Sequence, residues 1–259
     1  MKPTKQEMRT FSGLRGIVAT LRGPEGCPWD RVQTHQSLRP YLTEEASETL
    51  EALDDGDASR LCEELGDLLL EVLLHVQIAE EQGEFTLEDV LAGISDKLVR
   101  RHPHVFGEAQ AETPEAVAEQ WEDLKSKERE GQSALAGIPG TLPALARSQA
   151  IQRRVVRAGF TWESVDQAWQ KLEEELGELR AAQTDEERRE EMGDALFMLA
   201  VLAGWLEVDA EDALRLTCRK FGRRFERLEE RAAEGGRSLE AMTLAEKLAL
   251  WEEAKRSLR

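Results

Sequence analysis

Apolar residues return along this chain at steps of three and four. Leu42, Ala46, Leu50 and Leu53 form one such series, and Leu61, Leu65, Leu68, Val72 and Val76 form the next. That period puts each series on one face of a helix. No stretch alternates apolar and polar positions as a half-buried strand would. Helices are therefore expected from about Ser37 and from about Asp57, joined by the turn Asp54-Asp55-Gly56-Asp57. A connection that short folds the second helix back antiparallel on the first. Ahead of them, Phe11 to Leu21 has a short helical pattern, ended by the Gly- and Pro-rich loop Arg22 to Asp30. Behind them, Thr86-Leu87-Glu88-Asp89 has the spacing of a capping box and opens a helix expected to carry Leu87, Val90, Leu91, Ile94 and Leu98 inward. Thr113-Pro114 opens a fourth, with the cap followed by proline at the first helical position.

Residues 131–143 hold Gly131, Gly137, Gly140, Pro139 and Pro143, which deny them a long helix. They are read as a linker between a unit at 1–130 and a second at 144–259. In the second unit helices are expected at Val165 to Ala182, Asp185 to Leu206, Asp209 to Arg231 and near Leu244 to Leu258. Hydrophobic residues make up 41% of the 259 and aromatics only 5%, so Leu, Ala and Val on helices must build the cores. The fold class is all-α, with two tandem helical-bundle units.

The polar positions carry the second message. Glu45 and Glu48 share one helical face, as do Glu64 and Asp67. Across an antiparallel pair these carboxylates converge, and four of them would repel strongly unless a hard divalent cation held them. Mg²⁺ is the common cytosolic cation that prefers oxygen ligands, with Mn²⁺ as the alternative. A single acidic pair of this kind is usually just a solvated face. Here, however, Glu45 and Glu48 recur 130 residues later as Glu175 and Glu178, and Glu64 and Asp67 recur 127 later as Glu191 and Asp194. A solvated face has no reason to repeat its register. The repeat extends further: Lys97-Leu98-Val99-Arg100-Arg101 matches Lys220-Phe221-Gly222-Arg223-Arg224, and Trp121 with Lys125 matches Trp251 with Lys255. Acids for Mg²⁺, cations for phosphates and an aromatic platform are one inventory for a metal-bound polyphosphate.

Charge and cysteine content narrow the partners. A net charge of −18 argues against a nucleic-acid polymer, whose backbone is held by clustered Lys and Arg. It leaves room for a small phosphorylated substrate, since a bound cation inverts the local electrostatics. Cys27, Cys62 and Cys218 give neither a disulfide framework nor a zinc spacing, as suits a reducing cytoplasm. The polar start of the chain lacks the apolar core of a signal peptide, and the longest apolar run, Leu65 to Ile78, is broken by Asp67, Glu71 and His75, so no membrane span is expected. Trp29 reads as a packing plug rather than a base-stacking residue. His35, His75, His102 and His104 read as structural; His75, four residues after Glu71, falls on the core side of its helix.

With these residues assembled, the chain resembles the MazG family of all-α nucleoside triphosphate pyrophosphohydrolases in its tandem form. The family signature, Glu-Glu-x-x-Glu followed by Glu-x-x-Asp, is met by Glu44, Glu45, Glu48, Glu64 and Asp67, and again by Glu174, Glu175, Glu178, Glu191 and Asp194. Cys27-Pro28-Trp29-Asp30 with Gln33, Thr34, Ser37, Leu38 and Tyr41, the run Arg100 to Phe106, and Gly159-Phe160-Thr161-Trp162 are similar to other family segments. The resemblance implies Mg²⁺-dependent hydrolysis of an NTP or dNTP to monophosphate and pyrophosphate, a homodimer that completes each bundle, and a role in clearing surplus or damaged nucleotides. It implies metal ligation by Glu45, Glu48, Glu64, Asp67, Glu175, Glu178, Glu191 and Asp194. Water would attack the α-phosphorus and pass its proton to Glu44 or Glu45 in one unit and Glu174 or Glu175 in the other. Lys97, Arg101 and Lys125, then Lys220, Arg224, Trp251 and Lys255, would hold the nucleotide.

Two rivals remain in view. A di-iron carboxylate bundle needs histidine three residues after the ligating glutamate; Glu48, Asp67, Glu178 and Asp194 stand there instead. A helical scaffold with merely solvated acid faces would tolerate neutralisation of Glu48 and Glu178.

Overall fold

Side-chain caps set where most helices begin. In the computed structural model, which describes residues 3–128 and 131–257, the Thr10 hydroxyl accepts the Gly13 amide at the start of α1 (Phe11–Arg22). A single turn, α2 (Pro28–Arg31), follows inside the expected loop, where Pro28 pre-sets the first helical dihedral. Next come α3 (Arg39–Asp55) and α4 (Ala58–Gln82), the first ended by Gly56 at φ 64° and the second capped by the Asp57 carboxylate on the Ser59 and Arg60 amides. That positive φ is what glycine permits at a helix end. Both halves of the Thr86/Asp89 capping box open α5 (Leu87–Arg101). The one-turn α6 (Pro103–Phe106) and α7 (Pro114–Lys127) complete the first part of the chain.

The second part contains α8 (Ala144–Arg157), α9 (Val165–Ala181), α10 (Asp185–Trp205), α11 (Ala210–Glu234) and α12 (Leu244–Ser257). Ser164 caps α9, a Thr184/Glu187 capping box opens α10, and Asp209 caps α11. Among the described residues there is no strand, so the fold class is all-α as expected. Residues 129–130, at the end of the first expected unit, and Leu258, the expected end of the last helix, lie outside the described residues.

The chain divides into two compact units, Met1–Lys127 and Glu128–Arg259. In the first, α3 lies along α4, α1 packs on α4, and the core gathers Val18, Leu38, Leu73, Leu74, Val76, Ile78 and Leu87. In the second, α9 lies along α10, α8 braces α10 and α11, and the core is Ala168, Leu172, Met198, Val201 and Leu202. The helices expected in the second unit do not include α8, whose two buried positions, Gln149 and Gln152, are polar. Gln149 donates its side-chain amide to the Val208 carbonyl (2.8 Å) and accepts from the Ala210 amide (3.0 Å), so α8 docks through hydrogen bonds.

Three expectations about burial are corrected. Leu87 is buried, but Val90, Leu91, Ile94 and Leu98 of α5 are exposed, as are Leu42, Leu50 and Leu53 of α3. A helical period shows which face is apolar, not whether the same unit covers it; α5 packs on α4, α6 and α7 and is tied to α1 through the Arg15–Glu88 ion pair at 2.8 Å. Trp29 is no plug: it is 48% exposed and sets its ring edge-to-face with Tyr41 at 5.7 Å. Nor is His75 a fully satisfied core histidine, since its Nε2 is buried without a partner.

Candidate functional site

The helical hairpins bring carboxylates together in both units. In the first, Glu45 and Glu48 of α3 and Glu64 of α4 each offer a carboxylate oxygen, all within 4.8 Å of one another. Glu64 is only 8% exposed, while Glu45 and Glu48 are half-buried. Burial, then the charges of Asp67, Glu48, Glu44 and Glu64, push the Glu45 carboxyl above the usual carboxylate range. Burial and Glu64 do the same to Glu48. Asp67 therefore acts on this group from just outside the triplet. Glu44 is exposed and contributes repulsion.

The second unit repeats the arrangement with Glu175, Glu178 and Glu191, again within 4.8 Å. Glu175 is 6% exposed. Glu191 has one oxygen buried without a partner, and burial together with Glu178, Glu175, Asp194 and Glu190 pushes its carboxyl up. Asp194 and Glu174 are exposed. Oxygen-only donors, mutual repulsion and a buried oxygen lacking a donor together fit a hard divalent cation such as Mg²⁺.

Two cations sit among these acids that sequence reading did not select. Arg60 reaches Glu64 (3.2 Å), Asp55 (3.2 Å) and Glu51 (3.0 Å). Lys171 reaches Glu175 (2.8 Å) and Glu174 (2.9 Å), and these bonds hold its ammonium above the usual lysine range. The Lys171 contacts follow from helical spacings of three and four and were legible; the Arg60 link to Glu51, nine residues back across the turn, was not.

The expected phosphate-binding groups lie on other helices. The Arg101 guanidinium stands 5.4 Å from the Trp121 ring centroid, and His102 meets the same ring at 4.8 Å, which joins the end of α5 to α7. Lys125, one turn past Trp121, pairs with Glu122 at 2.8 Å. In the second unit Trp251 packs against Phe221 at 4.8 Å, Lys255 pairs with Glu252 at 2.8 Å, and Arg224 keeps its Nε buried without a partner. Lys97 and Lys220 are exposed. In each unit the carboxylates thus sit on a helical hairpin, and the cations and aromatics on two further helices.

Comparison with known proteins gives the same two-fold pattern. The family model described as MazG nucleotide pyrophosphohydrolase domain matches residues 33–106 and again 163–228. The chain is 44% identical over 247 residues to the nucleoside triphosphate pyrophosphohydrolase/pyrophosphatase MazG of Thermotoga maritima, covering 95% of each chain. It is 42% identical over 258 residues to the nucleoside triphosphate pyrophosphohydrolase of Escherichia coli K12, covering 96% of this chain and 98% of that one. Against the uncharacterized protein YabN of Bacillus subtilis it is 44% identical over 266 residues, covering 99% of this chain but 54% of that protein.

Proposed function

The chain belongs to the MazG nucleotide pyrophosphohydrolase family, and from that premise we propose that it hydrolyses nucleoside and deoxynucleoside triphosphates to the monophosphate and pyrophosphate with Mg²⁺. The observation that carries this reading is the pair of three-carboxylate groupings, Glu45/Glu48/Glu64 and Glu175/Glu178/Glu191, each with one nearly buried member. Asp67 and Asp194 complete each set. When bound there, Mg²⁺ or Mn²⁺ supplies Lewis acidity towards phosphate oxygens and offsets the charge of the departing pyrophosphate. Glu44 or Glu45, and Glu174 or Glu175, accept the proton of the attacking water. Burial and the neighbouring carboxylates push the Glu45 carboxyl up, which favours its holding a proton. Lys97, Arg101 and Lys125, and Lys220, Arg224 and Lys255, hold the phosphates, with Trp251 against the nucleoside.

The exposed apolar stripes of α3 (Leu42, Leu50, Leu53) and α5 (Val90, Ile94, Leu98) support a homodimer that covers them. The working division is 1–130, a linker at 131–143, and 144–259. Among the described residues no helix is long and apolar enough to cross a membrane, which accords with a cytoplasmic role in clearing surplus or damaged nucleotides.

The experiment is product analysis of an NTP and dNTP panel with Mg²⁺, with and without chelator, for the wild type, Glu48→Gln and Glu178→Gln. Monophosphate plus pyrophosphate, lost with chelator and with one or both substitutions, is expected. Diphosphate plus orthophosphate, or full turnover in the double variant, would overturn the proposal.

A further inference from the structure

The first unit carries a polar pair on α4 that the second unit lacks. One and two turns past Asp67 stand Glu71 and His75. The register that aligns Glu64 with Glu191 and Asp67 with Asp194 places Met198 and Leu202 at the equivalent points of α10, and both belong to the core. Met and Leu are what a core-facing stripe ordinarily holds, whereas Glu is almost never buried without a partner. Glu71 is 6% exposed, yet its Oε2 is buried with no hydrogen-bond partner, and Nε2 of His75 is buried in the same condition. Glu71 and His75, one helical turn apart, share a face of α4, so one partner could answer both unpartnered atoms.

The neighbouring groups decide what that partner is. Nδ1 of His75 lies 2.8 Å from Nδ1 of His35, with the rings nearly parallel, and Nε2 of His35 lies 3.8 Å from Glu84. The Glu84 carboxylate favours a proton on His35 Nε2, which leaves His35 Nδ1 as the acceptor. His75 then donates from Nδ1, and its buried Nε2 is a bare lone pair. Glu71 Oε2 is likewise an acceptor. The Glu71 carboxylate has the Glu45 carboxylate, not a cation, as its charged neighbour; a water could donate to both acceptors but would bring no countercharge.

We propose that Glu71 and His75 form a further cation site in the first unit, beside Glu45 but distinct from the Glu45/Glu48/Glu64 grouping, for a divalent transition-metal ion of the Mn²⁺, Co²⁺ and Zn²⁺ class. An imidazole nitrogen paired with carboxylate oxygen selects those ions over Mg²⁺. His35 and Glu84 act behind the ring, fixing its tautomer and orientation as outer partners of metal-bound histidines do. The second unit, with Met198 and Leu202, has no counterpart.

The test is to titrate the full chain with Mn²⁺, count bound ions and record pulsed electron paramagnetic resonance for ¹⁴N coupling. Oxygen-only groupings give none, so the expected wild-type result is one nitrogen-coupled ion per chain. Glu71→Met and His75→Leu, which install the residues of the second unit, should each lose that coupling and one bound ion while retaining the others. Glu71→Gln, close in shape and uncharged, should do the same without a change in packing. No nitrogen coupling in saturated wild type, coupling that survives His75→Leu, or unchanged stoichiometry in all three variants would overturn the site. The readout does not depend on turnover, so its failure would leave the hydrolysis proposal standing, and the reverse holds as well.

Discussion

Replacing Arg60 by methionine should tighten cation binding in the first unit. The Arg60 Nε lies 3.2 Å from Glu64, with Asp55 at 3.2 Å and Glu51 at 3.0 Å holding the other guanidinium nitrogens. Opposite unit charges at that distance attract by about 5 kcal/mol at an effective dielectric of roughly 20, whereas exposed pairs deliver only about 0.2–1 kcal/mol. The Arg60 side chain is about one-third exposed and Glu64 nearly buried, so the contact with Glu64 falls between these limits. An ion entering the Glu45/Glu48/Glu64 grouping must compete with it. Methionine keeps much of the apolar stem and removes the charge. In a Glu178→Gln background, expected to silence the second unit, Mg²⁺ affinity followed with a competing fluorescent indicator should rise roughly tenfold, the equivalent of about 1.4 kcal/mol. The metal-free variant should lose stability in urea, because the repulsion among the three carboxylates is no longer offset, and saturating Mg²⁺ should restore it. Weaker binding in the variant would mean that Arg60 positions Glu64 for the ion. Unchanged binding would remove Glu64 from the ligand set.

Other outcomes follow from the same contacts. Glu45, Glu48 and Glu191 have carboxyls raised above their ordinary value of 4.5. A raised folded-state value stabilises the fold fully below that ordinary value and loses the effect as pH rises through the folded one. The metal-free protein should therefore lose stability from these groups as pH climbs above about 4.5, and stabilisation by Mg²⁺ should grow over the same range, measured as paired urea midpoints. A Mg²⁺ effect that shrinks with rising pH would refute the assignment. Arg22, 5% exposed, donates to Glu81 (2.7 and 3.0 Å) and to the Asp30 and Gln33 carbonyls. Arg22→Met should cost about 2–3 kcal/mol in urea by leaving those groups unpaired, and a loss under about 0.5 kcal/mol would show that the segment around α2 is anchored elsewhere.

What could be read in the sequence was what is local. Helical spacing placed Glu45 with Glu48 and Glu64 with Asp67, and the short turn brought Glu64 to the first pair. Contacts that depend on which helix lies alongside were not legible: His35 meets His75 from 40 residues away, and Arg60 chooses Glu51 and Asp55 across the turn. The apolar stripe of α5 was visible, but its exposure was not, because amphipathic period carries no record of who supplies the opposite surface. What the sequence did not show of α8 is its docking, which runs through Gln149 to the Val208 carbonyl and the Ala210 amide, 59 and 61 residues away.

The two cores have a practical consequence. Val18, Leu38, Leu73, Leu74 and their neighbours all lie in the first unit, and Leu172, Met198, Val201 and their neighbours all lie in the second. Heat should therefore melt the chain as two endotherms rather than one. A ligand seated in one unit should raise the endotherm of that unit. A single scanning-calorimetry trace with and without nucleotide then reports which half of the duplicated chain is occupied, with no catalytic readout at all.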